Sequence, residues 1–455
     1  MEQPVSEFVV EGWSLDGAVL SLRSRRGSDA FVETITFPVE IEPAPPVARI
    51  LDLLAVVAGV SYAKACAPAT LHHPSIALTA AGVEAVRAVY DEGLREFALT
   101  AGFGLPVPVT YPGEPTVGAS GTTPVADVDA ARPMIPLGAG RDSNVVTLAL
   151  AELDPLLVSI GRNRFAERVA ARLDLELLTV ERRIAPRLLE LNAAGAPNGH
   201  VPVTAINSLV SVVLAEHFGG LPVVMANERG ASAPTRHVDG VPVNHQFSKS
   251  AHFEVLLRRA IASTGSRVRY GSVLREAAEG RIARAFALRG TPLHGAFMSC
   301  NKAMVRDPAR RSDGWCGDCP KCRSVYLSLA PHLDPSAMVA IFGSDLLADP
   351  AQTAGFVELV RADAKPFECV AEIDEARATA GELARTTRWS AHPGVVALTA
   401  ELGRTTITAA GGPAAGAPEE PAAVATTWET QDAADGRPGA LPARLYELVE
   451  RFLDA

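Results

Sequence analysis

The chain has 455 residues, of which 48% are apolar and 21% charged, so it can bury a large core and is not a disordered chain. This length predicts two or three domains. Lysine and arginine number 42 against 52 acidic residues, a formal net charge of −10. The chain lacks the broad basic field of a non-specific nucleic-acid binder, so we expect no nucleic-acid partner. The start shows no leader pattern, and apolar runs such as Leu53–Val60 fall short of the roughly 18 residues of a membrane span, so we expect a cytoplasmic protein without a membrane partner.

The first part of the chain alternates apolar and polar residues in three short runs. The runs FVVEGW, AVLSLRS and FVETITFPV lie within residues 8–39 and are separated by turn sequences rich in Asp and Gly, which predicts an antiparallel meander. Helical periodicity follows at 46–65 and 79–98. The sequence therefore predicts a small α+β N-terminal domain at 1–110 and a linker rich in Pro, Gly, Thr and Ala at 111–131.

From residue 132 the pattern changes to short apolar runs that alternate with amphipathic helices, which indicates βαβ units and a parallel sheet. The predicted strands are 134–137, 156–160, 175–180, 221–226, 267–273 and 296–300. Because ligands bind outside the carboxyl ends of such strands, we expect the residues that directly follow them to converge on one site. These residues are Gly138, Gly161, Glu181, Asn227, Glu228 and Cys300.

The rest of the chain changes character again. The α/β catalytic domain is predicted to cover 132–335 and a helical region 336–402. Residues 403–440 are dominated by Ala, Pro and Gly, a composition typical of a flexible linker, and 441–455 read as a terminal amphipathic helix. The predicted fold class is therefore α/β: a Rossmann-like parallel-sheet core, a small α+β N-terminal domain and a helical, partly disordered C-terminal region.

A glycine-containing loop joins the first predicted parallel strand to a helix and consists of Gly138, Ala139, Gly140, Arg141, Asp142 and Ser143. Its small residues let backbone amides approach a polyphosphate, and the helix N-terminus adds positive potential. It matches neither the Walker pattern nor GxGxxG, but resembles the SGGxDS loop of PP-loop ATP pyrophosphatases through Gly140, Asp142 and Ser143. That resemblance implies a PP-loop core that binds ATP and splits it into AMP and pyrophosphate. The alternative is an ordinary turn in which Asp142 or Ser143 caps the helix.

Four cysteines form a second motif, C-x15-C-x2-C-x2-C, made by Cys300, Cys316, Cys319 and Cys322. Their spacing fits one tetrahedral zinc ion with a structural role, because four protein ligands leave no open position for water. An iron–sulfur cluster takes the same ligands, and buried free thiols are a further alternative. We predict that the two remaining cysteines, Cys66 and Cys369, are core residues.

Several phrases accompany the two motifs: Leu191-Asn192, Asn198-Gly199-His200, Asn227-Glu228-Arg229, VNHQFSKS from Val243, SCN from Ser299, WCGDCPKC from Trp315 and KPFECV from Lys365. With them the sequence resembles the bacterial UDP-N-acetyl-α-D-muramoyl-L-alanyl-L-glutamate epimerase family, up to about residue 375. The resemblance implies an enzyme that uses ATP and Mg²⁺ to invert the terminal L-glutamate of a nucleotide-sugar dipeptide for peptidoglycan synthesis. Its partner is then a small molecule.

The implied reaction assigns roles to charged side chains. A proton α to a carboxylate is hard to remove because the carbanion forms beside a negative charge, and conversion of the carboxylate to an acyl-adenylate removes that charge. Asp142 is expected to act near Mg²⁺ or to orient the loop, while Ser143 and the amides of Gly138 and Gly140 would hold pyrophosphate. Arg229 is the first candidate to bind a substrate carboxylate or diphosphate, and Arg162 and Arg182 are alternatives.

Four residues are candidates for the base that removes the α-proton: His245, Lys249, His200 and Glu228. His245 and Lys249 are spaced i,i+4, so on a helix they share one face. The nearby positive charge is expected to keep His245 neutral and able to accept a proton. For Glu228, a position at the end of a strand favours a role in the site.

The residues leave two other functions open. One is a different PP-loop adenylating enzyme, such as a deazapurine-nitrile synthase-like enzyme or an amide or thiolation ligase, but the glutaminase domain and the basic balance of a tRNA-binding enzyme are missing. The other is a non-catalytic regulator that binds a nucleotide and zinc.

Overall fold

The computed structural model describes residues 6–113, 117–118, 132–305, 308–410 and 440–455. Most of the predicted linker at 111–131 and of the predicted flexible segment at 403–440 lies outside the described residues. The chain divides into two compact units. The first comprises Met1–Met298, Phe367–Cys369 and Leu441–Ala455, and the second Ser299–Pro366 and Val370–Ala440.

The first unit is built on a ten-stranded sheet. The described strands are β1 Ser6–Asp16, β2 Val19–Arg26, β3 Asp29–Thr36, β4 Ala69–His72, β5 Val109–Thr110, β6 Met134–Pro136, β7 Leu156–Ile160, β8 Leu177–Arg183, β9 Val223–Met225, β10 Arg236–Val238, β11 Val241–Val243 and β12 Tyr270–Ser272. The sheet order is β12-β9-β6-β7-β8-β3-β2-β1-β4-β5, and β10 and β11 form a separate hairpin.

Helices surround this sheet in the first unit and make up most of the second. Those of the first unit are α1 Pro45–Ala58, α2 Val60–Ala63, α3 Ala80–Asp91, α4 Arg95–Thr100, α5 Arg141–Ala149, α6 Arg164–Leu173, α7 Pro186–Ala193, α8 Val203–His217, α9 Ala251–Ser263, α10 Glu279–Arg289 and α16 Ala443–Asp454. Those of the second unit are α11 Pro320–Leu329, α12 Pro335–Phe342, α13 Thr353–Glu358, α14 Ile373–Arg385 and α15 Pro393–Ala410.

The predicted N-terminal meander is confirmed by antiparallel pairing of β1, β2 and β3. Its side chains alternate as a sheet with one buried face requires: Phe8, Leu20 and Phe31 enter the core. The helical stretch Pro45–Cys66 is long and apolar enough to span a membrane by length and composition, but 78% of its apolar window is buried within the protein. It therefore forms part of the buried core of the first unit.

Five of the six predicted parallel strands are confirmed, as β6, β7, β8, β9 and β12. Counted from β6, they lie in the order 3-2-1-4-5, which is that of doubly wound α/β sheets. The strand order reverses between β6 and β9. In such sheets a crevice opens at that switch point, outside the carboxyl ends of the two strands.

The sixth predicted strand, at 296–300, is wrong. Ala296, Phe297 and Met298 are buried, but the segment is not paired in the sheet. An apolar run reports burial, and a buried loop satisfies it as well as a strand does. The expected position of Glu181 after a strand is also wrong, because β8 continues to Arg183 and Glu181 lies inside it.

One antiparallel contact joins the meander to the parallel strands. β3 pairs with β8, with Ile35 opposite Arg182. Beside this pairing, the fully buried carboxylate of Glu33 accepts hydrogen bonds from Arg182 Nε at 2.6 Å and from the Tyr62 hydroxyl at 2.7 Å. The predicted N-terminal and catalytic regions thus share one sheet and one compact unit, and the proposed domain boundaries stay a prediction.

The second unit is helical, in keeping with the sequence pattern of 336–402. Its helix α11 packs against α13 and α14, and α14 packs against α15. Trp389 is fully buried and lies edge-on to Tyr326, with ring centroids 6.3 Å apart. The unit therefore has its own aromatic core.

The buried ion pair at the junction of β3 and β8 yields a prediction for stability. Glu33→Ala leaves the guanidinium of Arg182 buried without its carboxylate, so we expect the free energy of unfolding to fall by about 3–5 kcal/mol. Urea denaturation measures it. The matched control is Glu11→Ala, which breaks the half-exposed pair with Arg25 on the same meander and should cost less than about 1 kcal/mol. Equal losses in the two variants would contradict the special role of the junction.

Candidate active site

The loop after β6 leaves room at the N-terminus of α5. Gly140 precedes the helix with extended backbone angles, and no side chain caps the helix, which removes the alternative that Asp142 or Ser143 acts as the cap. Ala139 has a left-handed backbone with φ of 60°, and its carbonyl accepts a hydrogen bond from the Met298 amide at 2.8 Å. A Cβ atom at Gly138 would meet no atom within 4 Å. The loop is thus anchored by the hydrogen bond to Ala139, and the space next to Gly138 is open.

The side chain of Arg141 is engaged by two carboxylates. Its guanidinium is buried and donates to both carboxylate oxygens of Glu279, at 2.5 and 2.7 Å, and to Oδ1 of Asp142, at 2.6 and 2.8 Å. The side chain therefore fixes two carboxylates at the start of α5. Only the backbone of Arg141 remains available for the predicted contact with a phosphate.

Glu228 follows β9, at the other side of the switch point. The neighbouring Asn227 is held by Ser272, whose hydroxyl accepts from the Asn227 amide at 2.8 Å and donates to the Asn227 carbonyl at 2.7 Å. Burial, and then the negative charge of Asp142, raise the pKa of Glu228 to about 7. Near neutral pH this carboxyl group can give or take a proton.

His245 and Glu96 form an ion pair at a second position in the candidate site. His245 Nδ1 lies 2.7 Å from Oε2 of Glu96, which is buried on α4. The ring of His200 lies against that of His245, with centroids 4.3 Å apart. Burial, and then the positive charge of His245, lower the pKa of His200 to about 4, so His200 is neutral at physiological pH.

Lys249 and Cys369 continue this cluster. Lys249 Nζ donates to Cys369 Sγ at 3.5 Å and to Gln246 Oε1 at 3.4 Å. The charge of Cys369 and, against the effect of burial, that of Glu228 raise the pKa of Lys249, so the amine stays protonated. The side chain of Cys369 also forms a hydrogen bond with His245.

The structure corrects the predicted state of His245. Burial alone lowers its pKa, but hydrogen bonds and opposite charge from Cys369 and Glu96 outweigh burial and raise the pKa to about 9. His245 is thus protonated at neutral pH, not neutral as predicted. Nor does it share a helix face with Lys249: the 3₁₀ helix begins at Phe247, after His245.

A buried lysine lies close to the same cluster. Lys64, in the turn that follows α2, donates a hydrogen bond to Oδ1 of Asn198. Burial lowers the pKa of Lys64 to about 8. The positive charges of Lys64 and Lys249 both act on His200. The sequence phrase around Asn198 marked this region, but gave no reason to join it to a lysine 134 residues away.

The three arginine candidates have different surroundings. Arg182 is engaged by Glu33 in the sheet, so its guanidinium has a structural partner there. Arg162 and Arg229 are exposed, and the Arg229 amide donates to the carbonyl of Ala277. Arg229 stays a prediction as a substrate-binding residue.

The sequence did not predict that Cys369, Glu96 and Lys64 belong to this cluster. Cys66 is a core residue as predicted, with 2% of its surface exposed. Cys369 is not: it is partly exposed and contacts Lys249. The phrase KPFECV is the feature of the sequence that places Cys369 within the family pattern.

The four cysteines of the second motif meet within the second unit. Their sulfur atoms all lie within 4.8 Å of one another, and Cys322 Sγ is 3.4 Å from Cys319 Sγ and 3.8 Å from Cys316 Sγ. A tetrahedron of thiolates around zinc has edges of about 3.8 Å, given Zn–S bonds of about 2.3 Å. Gly317, with φ of 71°, makes the tight turn between two of them. The cluster is a candidate metal site compatible with zinc.

The fold and the buried titratable side chains define an α/β protein of the doubly wound class with an enzyme-like site at its switch point. A family model described as the MurL N-terminal domain matches residues 1–273, and one described as the MurL C-terminal domain matches 296–411. The chain therefore belongs to the MurL family, which confirms the resemblance seen in its motifs.

Curated relatives support the same assignment, and each is named UDP-N-acetyl-alpha-D-muramoyl-L-alanyl-L-glutamate epimerase. The protein of Salinispora tropica is 43% identical over 82% of each chain. That of a Micromonospora species is 41% identical over 86% of this chain and 90% of its own, and that of Xanthomonas oryzae pv. oryzae is 37% identical over 76% and 77%. No solved structure matches the chain.

The charge on His245 predicts a pH dependence of stability. Because its pKa in the folded protein, about 9, exceeds the ordinary value of 6.5, the ion pair stabilises the protein fully below about pH 6.5 and ceases to do so as the pH rises through about 9. Wild-type protein should exceed His245→Gln in unfolding free energy by up to about 3 kcal/mol at low pH, and by much less at pH 10. Urea denaturation of both proteins between pH 6 and 10 measures the difference. A difference that does not change with pH would contradict a protonated His245.

Proposed function

We propose that the chain inverts the terminal L-glutamate of UDP-N-acetyl-α-D-muramoyl-L-alanyl-L-glutamate to D-glutamate, in the synthesis of peptidoglycan precursors. The observation that carries this proposal is the match to family models over 1–273 and 296–411, together with relatives of that name at 37% to 43% identity. The substrate is accordingly a small nucleotide-sugar dipeptide, and the enzyme works in the cytoplasm.

ATP binds, in this proposal, at the loop that joins β6 to α5. Three observations support it: the loop lies at the switch point of a doubly wound sheet, the space above Gly138 is open, and the first amides of α5 have no side-chain cap. Backbone amides at a helix N-terminus favour an anion, so the loop can hold the pyrophosphate end of the nucleotide. With this loop we propose that the parallel-sheet core is of the PP-loop type of ATP pyrophosphatase.

Mg²⁺ is the second proposed cofactor at this end of the site. Asp142 is close enough to Glu228 to raise the pKa of Glu228, and carboxylate oxygens of this kind suit Mg²⁺. Arg141 restrains the carboxylate of Asp142 and so would hold it in place for the ion. When bound, Mg²⁺ would neutralise phosphate charge during cleavage of ATP between the α and β phosphates.

ATP is needed because the barrier, and not the equilibrium, limits epimerisation. A free α-carboxylate repels the carbanion that forms when the α-proton leaves. Adenylation removes the charge and makes the carbonyl group an electron sink, and each 1.36 kcal/mol gained lowers the barrier tenfold. Hydrolysis of the adenylate after inversion then releases product and AMP.

The cationic cluster suits the other end of the substrate. Lys249 and His245 are protonated at neutral pH, and Lys64 is only partly so above pH 8. Their charges can bind carboxylates and stabilise the negative oxygen that develops as the α-proton leaves. Neither Lys249 nor His245 can serve as a base in its protonated form.

The four-cysteine cluster binds, in our proposal, one structural zinc ion. The sulfur separations in the second unit support tetrahedral coordination by Cys300, Cys316, Cys319 and Cys322. Because all four positions are occupied by protein, the ion would stabilise the fold and take no part in the chemistry.

The proposed reaction predicts a strict coupling between ATP cleavage and inversion. With the muramoyl dipeptide nucleotide, ATP and Mg²⁺ in D₂O, we expect D-glutamate with deuterium at the α-carbon, together with AMP and pyrophosphate. Without ATP we expect neither exchange nor inversion. Chiral chromatography, mass spectrometry and nucleotide analysis of one reaction provide all three measurements. Release of ADP and phosphate would refute the loop assignment, and full exchange without ATP would refute activation by adenylation.

Asp142→Asn tests the loop directly. Loss of the carboxylate should abolish both AMP formation and inversion while the protein stays folded, because activation precedes proton removal. Asp154→Asn is the matched control, since Asp154 follows the same helix, is exposed and adopts a left-handed backbone that Asn tolerates. That variant should retain both activities.

The cysteine cluster predicts about one zinc ion per chain. Cys319→Ser should lose the ion and melt at a lower temperature, because metal binding contributes to folding, whereas Cys66→Ser should keep it. Elemental analysis and thermal unfolding of the two variants and the wild type measure this. If active wild-type protein contained no bound metal, the proposed zinc site would be wrong.

A further inference from the structure

The segment Phe367–Cys369 belongs to the first compact unit, although its neighbours on both sides in sequence belong to the second. The guanidinium of Arg236 lies over the ring of Phe367, 4.7 Å from its centroid. Lys249 then holds the sulfur of Cys369 at 3.5 Å. Three residues are thus placed among the charged groups of the candidate active site.

The surroundings of Cys369 differ from those of a structural thiol. It is partly exposed and has two cationic neighbours, the ammonium group of Lys249 and the imidazolium ring of His245. Adjacent cations favour the thiolate, which is the nucleophilic and basic form of cysteine. Cys66 offers the contrast within the same unit, since it is buried in the core and burial raises its pKa to about 11.

The other candidates for a base are less suited. His245 is already protonated at neutral pH, as is Lys249. His200, with a pKa lowered to about 4, is too weak a base for an α-proton. The charge of Asp142 affects the pKa of Glu228 more than that of Lys249 does, so we group Glu228 with the carboxylates at the phosphate loop and not with the cations around Cys369.

We propose that the thiolate of Cys369 is the base that removes the α-proton of the terminal glutamyl residue. This inference rests on the proposed function, because it takes the acyl-adenylate as the species that is deprotonated. It adds to that function the residue that performs the proton transfer.

The step balances without a further reactant. An electron pair on Cys369 Sγ forms a bond to the α-hydrogen, and the C–H electron pair moves into the adenylated carbonyl, which gives an enolate that still carries AMP. A second acid, on the other face of the substrate, then delivers a proton to the α-carbon. Lys249 first stabilises the thiolate and afterwards faces a neutral thiol, so its charge becomes available to the enolate oxygen.

Cys369→Ala and Cys369→Ser, made in the full chain, test the assignment. In D₂O with substrate, ATP and Mg²⁺, we expect both variants to lose α-deuterium incorporation and inversion by about 100-fold or more, which is the contribution of a positioned base. AMP and pyrophosphate formation should persist within about tenfold of the wild type, since adenylation precedes proton removal. Cys66→Ser is the matched control and should retain both activities.

Three outcomes would overturn the assignment. Inversion by Cys369→Ala at more than about a tenth of the wild-type rate would show that another group is the base. A thioester between Cys369 and the glutamyl carbonyl, formed with release of AMP and detected by mass spectrometry of the protein, would show that the sulfur attacks the activated carbonyl instead. Parallel loss of AMP formation and inversion in a variant with a wild-type melting temperature would place Cys369 in the adenylation step.

The same assays separate this inference from the proposed function. If the wild-type protein inverts its substrate without ATP, adenylation is wrong whatever the variants do. If the wild type couples AMP formation to inversion and Cys369→Ala still inverts, only the assignment of the base is wrong.

Alkylation of the wild type covers the case in which both variants fail to fold. Iodoacetamide at pH 7 should label Cys369 at least about tenfold faster than Cys66, and bound substrate should protect it. Mass spectrometry of the peptides measures both rates. Failure of substrate to protect Cys369 would overturn the assignment.

Discussion

The antiparallel pairing of β3 with β8 is the constraint on which the candidate site depends. The site takes Glu96 from α4, among the N-terminal elements, and His245 from the segment after β9, so the two must be held in fixed relation. One continuous sheet does this, and the packing of α1 on α8 and of α3 on α9 supports it. Glu33 is buried at this junction, where neither half of the sheet alone could satisfy its charge. If the two halves separated, the charge of Glu33 would lose its partner Arg182, and this loss disfavours any such arrangement.

Within the first unit, one group of the candidate site is mainly acidic and the other holds the cations Lys249 and His245. Asp142, Glu279 and Glu228 lie at the loop after β6, with Arg141 between the first two. Lys249 and His245 supply the positive charge of the second group, beside Cys369. Under the proposed function, the acidic group would face the cation that accompanies the polyphosphate, and the cationic group would face the carboxylates of the substrate. Glu228 feels both groups, since Asp142 raises its pKa and Lys249 lowers it, so its ionisation is sensitive to what occupies either end.

Local patterns in the sequence predicted the local structure well. Alternation identified β1 to β3, and short apolar runs between helices identified the five parallel strands, because both patterns are imposed by burial of neighbouring residues. The strand predicted at 296–300 was wrong because a buried segment need not pair with a neighbouring strand. The candidate site depended on distant residues: His245 is protonated because Glu96, 149 positions away, and Cys369 lie beside it. Contacts between residues so far apart in sequence cannot be predicted from their spacing. The family phrases therefore identified the residues but did not predict their protonation states.

The brief passage of residues 367–369 through the first unit has a consequence for how the gene can evolve. The segment matched as the C-terminal family domain contains Cys369, whereas Lys249 and His245 lie in the segment matched as the N-terminal domain. A gene broken between residues 273 and 296 would give two products, neither with both the sulfur and the cations beside it. The two family domains should therefore be inherited together, and a recombinant that takes its C-terminal domain from a distant relative should survive selection only if the cysteine and the residues that receive it have changed in concert.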